Sequence, residues 1–150
     1  MQIPTRTATL TRAGPYNPAC MRPAIILTAL LLLAAADPRE PLIGHWTGTS
    51  ICTGVRPACH DETASYWMKA GKAPDVVTVD FCKNVNGTDV LMGTNDCHVD
   101  FAAHTLTTFP ETSEGRFVWS FTWSGAQMTG TSKSPSGQVV RNIHLMKAKS

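Results

Sequence analysis

The chain has 150 residues, of which 13 are Lys or Arg, 11 are Asp or Glu and five are Cys, with a formal net charge of +2. That length excludes several independent cores, and a charged fraction of 16% without a basic run excludes the electrostatic footprint of a nucleic-acid or anionic-membrane binder. Arg6, Arg12 and Arg22 carry the positive excess, so the segment 37–150, 114 residues long, is close to neutral.

Residues 1–20 are polar, rich in Thr and Pro, and without apolar periodicity. They read as a disordered extension, or as the product of an upstream start codon with true initiation at Met21. Arg22 then precedes an apolar run, Ala24 to Ala36, that closes on Ala34, Ala35 and Ala36 before Asp37-Pro38. A basic start, a short apolar stretch and a small-residue end predict a secretory signal peptide over 21–36, cleaved near Ala36. The run is shorter than the roughly 20 residues that span a bilayer. The expected product is a periplasmic or secreted protein with no stable membrane insertion after cleavage, folded where thiols oxidise. Cys20 lies before the apolar run, the wrong side for a lipoprotein cleavage site.

Residues 37–150 are expected to form one domain. Four cysteines remain there: Cys52, Cys59, Cys82 and Cys97. Four cysteines allow three pairings; the favoured one joins Cys52 to Cys59 and, by remainder, Cys82 to Cys97. Spacings of seven and fifteen residues match no C-x-x-C ligand pair, so bridges are preferred to a metal site.

No stretch after Asp37 shows helical periodicity, whereas short β-favouring runs recur between turn signals. The predicted strands are Ile43 to Cys52, Ala64 to Ala70, Val76 to Lys83, Thr88 to Thr94, a weak one at His98 to Phe101, Thr105 to Phe109, Arg116 to Trp123, Gln127 to Ser132, and Val139 to Lys147. Phe117, Trp119, Phe121 and Trp123 alternate along one of them, which puts four large rings on one face of a central strand. Asn86-Gly87, Ser124-Gly125 and Ser136-Gly137 supply residues tolerant of positive φ for tight turns. Sequential strands joined by short turns make a meander, and closing about eight of them removes the exposed edges. The fold class is therefore all-β, a single small up-and-down antiparallel β-barrel.

Gly44-His45-Trp46 on the first strand has the Gly-x-Trp form of lipocalins and their calycin relatives. Arg141 lies on the last strand, on a face with Val139, Ile143 and Leu145. The resemblance implies that Arg141 covers Trp46 and closes one barrel end, a cation-π contact of about 0.5 to 2 kcal/mol. More closely, the chain resembles small exported bacterial lipocalin-like proteins of unassigned function. The stretches that carry this likeness are Gly44 to Cys52, Cys59-His60-Asp61-Glu62, Val85-Asn86-Gly87, Leu91 to Thr94, Met128 to Thr131 and the Arg141 strand. Cys82, and the lack of a cysteine near Thr107, depart from that pattern and bear on the disulfide pairing. The family implies a fold and a compartment but no activity.

Cys59-His60-Asp61-Glu62 is the one dense polar cluster, and an acid–base or metal-dependent activity would have to be built there. Three consecutive residues cannot all point at one ion from a strand, so Cys59 is expected to close a loop while Asp61 and Glu62 serve turn amides or water. His45, His98, His104 and His144 show no ligand spacing, no Gly-x-Ser-x-Gly elbow occurs, and Asp96 and Asp100 read as hairpin-end residues. The expectation is a monomeric binding module, not an enzyme, with no metal or cofactor, holding one small, largely apolar ligand. Trp46, Trp119, Phe121 and Met128 are the expected cavity or floor residues and Arg141 the closing contact. The alternative is an envelope interaction protein, or an inhibitor of an exported enzyme, with a packed barrel and a working surface in the loop Cys52 to Glu62 or near Trp67.

Overall fold

The computed structural model describes residues 36–149, so the extension over 1–20 and, except for Ala36, the leader over 21–36 lie outside the described residues. The strands are β1 (Gly44–Cys52), β2 (Glu62–Ala70), β3 (Val76–Val85), β4 (Thr88–Asp100), β5 (Thr105–Thr108), β6 (Glu111–Thr112), β7 (Gly115–Arg116), β8 (Val118–Ser124), β9 (Gln127–Lys133) and β10 (Val139–Lys147). Eight of them close into an antiparallel barrel in the order β1-β2-β3-β4-β5-β8-β9-β10 and back to β1, while β6 and β7 form a separate small hairpin. Each barrel strand lies beside the barrel strand before it, the β6–β7 hairpin being an excursion between β5 and β8. At the β3–β4 turn Asn86 and Gly87 take φ of 53° and 85°, the left-handed pair that a tight hairpin needs. Among the described residues no helix is long and apolar enough to cross a membrane.

Alternation along the strands fills the interior. Trp46, Tyr66, Val79, Cys97, Leu106, Phe121, Ile143 and Leu145 are buried and belong to one core. Phe121 and Trp123 are buried in the core as expected, and Trp119 is half-buried because it stands at the rim; the expected strand Arg116 to Trp123 starts only at Val118, because Arg116 pairs with Glu111 in the hairpin, so Phe117 is buried outside the strand and its core. One end is plugged: the turn before β1 sets Leu42, fully buried, beneath Trp46, and Arg39 fixes that turn by donating to the carbonyls of Gly71 and Ala73 at 2.9 Å. The other end, where β1 leaves and β2, β8 and β10 begin, is the mouth.

Two expectations are corrected here. The predicted strands Thr88 to Thr94 and His98 to Phe101 are one strand, because Asn95-Asp96 is not a turn. Asp96 accepts from the Thr78 hydroxyl across the ladder at 2.6 Å, and Asn95 pairs with Val79. A cross-strand hydrogen bond thus takes up the side chain that would otherwise have favoured a turn. Asp100 does end its strand, accepting from the Ala103 amide at 2.9 Å.

The second correction concerns the cysteines. Cys52 and Cys59 are bridged, but Cys82 and Cys97 are free and buried. Cys82 stands opposite Leu91 and Cys97 opposite Val77. The two sites are five residues apart along β3, roughly 16 Å at strand rise, far beyond disulfide reach. A bulge at Met92 separates them further, since Phe81 pairs with Gly93 but Cys82 already pairs with Leu91. Burial pushes the Cys97 thiol up to about 12. A thiol reagent is therefore expected to find no reactive group in native 37–150 and two in denaturant; a count of zero in denaturant would establish a second bridge.

Candidate functional site

A cavity of ≈ 360 Å³ opens at the mouth. Three features build it. The β1–β2 connection is cinched by the Cys52–Cys59 bridge, with Cα atoms 6.0 Å apart, which places Ala58 and Cys59 on the rim. The Asp61 carboxylate accepts from the Cys52 amide at 2.8 Å and secures the same loop. Between β5 and β8 the chain departs from the barrel at Pro110, makes the β6–β7 hairpin, and returns at Phe117, whose amide donates to the Pro110 carbonyl at 3.0 Å. An ion pair between Arg56 and Glu114 ties these two rim segments together, and Arg56 lies over the Phe117 ring at 5.4 Å.

Apolar and charged groups face each other inside. Phe81, Phe117 and Trp119 form an aromatic wall, with the Phe81 and Trp119 rings edge to face at 5.0 Å. Opposite them, Arg141 donates to the Ser50 hydroxyl at 3.1 Å and pairs with Glu62 at 3.2 Å, each side chain 17% exposed. Pairing lets both charges sit in a half-desolvated recess, and removing either leaves the other uncompensated. Below them lies Tyr66, wholly buried, its ring edge to face with Phe81 at 4.9 Å. Its hydroxyl makes no well-formed hydrogen bond among the described residues; Ser50 is close, its Oγ accepting from Arg141 while its own O–H stays free to donate. Burial, reinforced by the nearby Glu62 charge, pushes the phenol above its usual range, so it stays a neutral donor. In the ligand-free protein Tyr66→Phe removes a buried hydroxyl that makes no well-formed hydrogen bond and is expected to leave stability within about 1 kcal/mol of the parent; thermal unfolding checks this, and a loss of about 2 kcal/mol or more would show that Ser50 pairs with the phenol.

The structure sorts the expected site residues into two groups. Trp119 and Arg141 line the cavity. Phe121 lies in the core behind Trp119, their rings 6.3 Å apart, while Trp46 and Met128 are packed near the plugged end. The contact implied between Arg141 and Trp46 is not made. Register pairs Arg141 with Cys52 but Trp46 with Lys147, so the two sit at opposite ends of the β1–β10 seam. The cation over the Trp46 ring is Lys147, its Nζ 5.9 Å from the centroid, and the indole N–H donates to the Leu42 carbonyl at 2.8 Å.

The Cys59 to Glu62 cluster does not converge. Cys59 is bridged and stands on the rim, Asp61 holds a backbone amide, His60 is exposed, and Glu62 is the one ionisable side chain of the four that lines the cavity. No histidine lines the cavity. His45 stacks on Trp67 at 4.0 Å on the outer face and bonds the Ser65 hydroxyl at 2.7 Å; Ser65 in turn donates to Asp89 at 2.7 Å. Among the described residues no group of three or more His, Cys, Asp or Glu side chains is placed to hold a metal ion. Sequence reasoning missed Phe81, Glu62 and the 110–117 excursion as cavity components. Of these only Pro110, which cannot donate to a ladder, marked in the sequence that β5 would stop where it does. Compared with known proteins, the chain matches no family model and no curated sequence.

Proposed function

We propose that the protein is an exported, lipocalin-like binding module that holds one small, largely apolar ligand in the mouth of its barrel. The mouth cavity carries this reading: at ≈ 360 Å³ it falls in the range of small-ligand sites, with an aromatic wall for an apolar body and a few polar groups to orient one end. The rest of the interior is filled by side chains, so what binds stays at the mouth. The Cys52–Cys59 bridge supports an oxidising compartment. The neutral aromatic probe 1-aminoanthracene, followed by Trp fluorescence, is expected to bind saturably and at least fivefold more weakly to Trp119→Ala. Fatty acids and haem-like compounds form the rest of the panel, and a flat response across it would end this reading.

A surface-binding role has less support. Trp67 is 43% exposed, yet it is pinned by stacking on His45 and by donating to Asp89 at 3.0 Å, which makes it part of a rigid polar array and not an apolar patch.

A further inference from the structure

The wall of the mouth cavity formed by β4 is an unpaired strand edge. β4 pairs with β5 only through His98, Val99 and Asp100, although β4 runs from Thr88. The Val99 amide donates toward the β3 side, to the Asp75 carbonyl at 2.8 Å. By alternation the N–H and C=O groups of His98, Asp96 and Thr94 point the other way, and only His98 finds β5 there. Among the described residues the backbone groups of Thr94 and Asp96 have no backbone or side-chain partner on that edge. The chain that would have continued the ladder is diverted at Pro110 into the β6–β7 hairpin, which pairs only with itself. The space left between them is the cavity, bounded by Met92, Gly93 and Asn95 on one side and Pro110 and Thr112 on the other.

Resting on the ligand-binding reading above, we infer that the ligand is an extended peptide segment, added as a short strand to the open edge of β4 at Thr94 and Asp96, with an apolar side chain lodged against Phe81 and Trp119. Unmet N–H and C=O groups in strand spacing are satisfied in register by another extended backbone, and a strand sends alternate side chains to one face, here into the cavity. A second copy of the barrel is a poorer occupant. The edge faces the β6–β7 hairpin across the cavity and is kinked by the bulge at Met92, features that admit one thin strand and obstruct a second rigid sheet.

The test uses soluble blocked heptapeptides with Lys at alternate positions and Leu, Val or Phe between, together with forms N-methylated at the alternate amides that would face β4. The parent peptides are expected to displace 1-aminoanthracene and to shift the Thr94 and Asp96 amide resonances. N-methylation is expected to weaken them at least tenfold. Thr94→Pro, which deletes one edge N–H and leaves the β3 ladder intact, should weaken peptide binding likewise, whereas Thr94→Val, which keeps that N–H, should not. Near-UV circular dichroism confirms that each variant is folded. Bound 1-aminoanthracene that no peptide displaces would overturn the peptide assignment and leave the cavity reading standing. So would N-methylated forms that bind as well as their parents. A concentration-dependent dimer in sedimentation, with Thr94 and Asp96 protected from hydrogen exchange, would give the edge to a second copy instead. Direct peptide shifts in a protein that ignores 1-aminoanthracene would uphold the strand addition and remove the small-molecule reading.

Discussion

Gly48→Ala is expected to lower stability by about 3 kcal/mol and the thermal midpoint by roughly 10 °C, more than a methyl group ordinarily does in a core. A Cβ at Gly48 would lie 1.9 Å from the His144 carbonyl oxygen and 2.9 Å from the Leu145 Cα. Both atoms are backbone, in the strand that Gly48 faces across the β1–β10 seam. No rotamer relieves such a contact, so the seam itself must part where the barrel closes. Gly93→Ala is the matched control, since its methyl group would meet nothing within 4 Å; it should move the midpoint by a degree or two. Equal midpoints for the two variants would refute the close approach at the seam.

Trp46→Ala is expected to cost about 3 to 5 kcal/mol, the range for removing a large buried ring. Trp46 is fully buried beside Leu42, and its indole N–H satisfies the Leu42 carbonyl, so truncation leaves both a void and an orphaned acceptor. Trp46→Phe keeps most of the packing and loses the hydrogen bond, and should cost about 1 to 2 kcal/mol. Because the ring lies near the plugged end, the protein that remains folded should bind 1-aminoanthracene as the parent does. Denaturant unfolding measures the first effect and fluorescence titration the second. A large fall in affinity with little loss of stability would place Trp46 in the ligand site after all. Lys147→Met removes the cation over the ring together with the hydrogen bonds that Nζ donates to the Pro41 and Glu40 carbonyls at 2.8 and 3.3 Å, and should cost about 1 to 2 kcal/mol.

The barrel was legible because alternation and turn chemistry are local signals. Phe121 and Trp123 are buried as their spacing demands, and Asn86-Gly87 makes the turn its residues favour. Signals that depend on register between distant strands were not legible. Arg141 and Trp46 share an interior, but nothing local to either tells how far β10 slides along β1, and that slide decides whether they meet. The same holds for Cys82 and Cys97, which lie on neighbouring strands and are separated by the ladder offset and one bulge. Asn95-Asp96 misled for another reason: a side chain that can stabilise a turn can equally bond across a ladder, and the Thr78 hydroxyl decides it. The mouth was half visible. Trp119 and Arg141 carry signals of their own and Glu62 stands in the polar cluster, whereas Phe81 looks like any strand residue until the two rim segments converge on it.

Closure has a kinetic corollary. β1 is flanked by β2 on one side and, about a hundred residues later in the chain, by β10 on the other. Until the final strand arrives the growing sheet keeps two raw margins, and its most distant contact carries the largest loop-closure entropy. A polypeptide built this way cannot complete its ring while it is still being made, and locks into shape only once the final strand is free to pair.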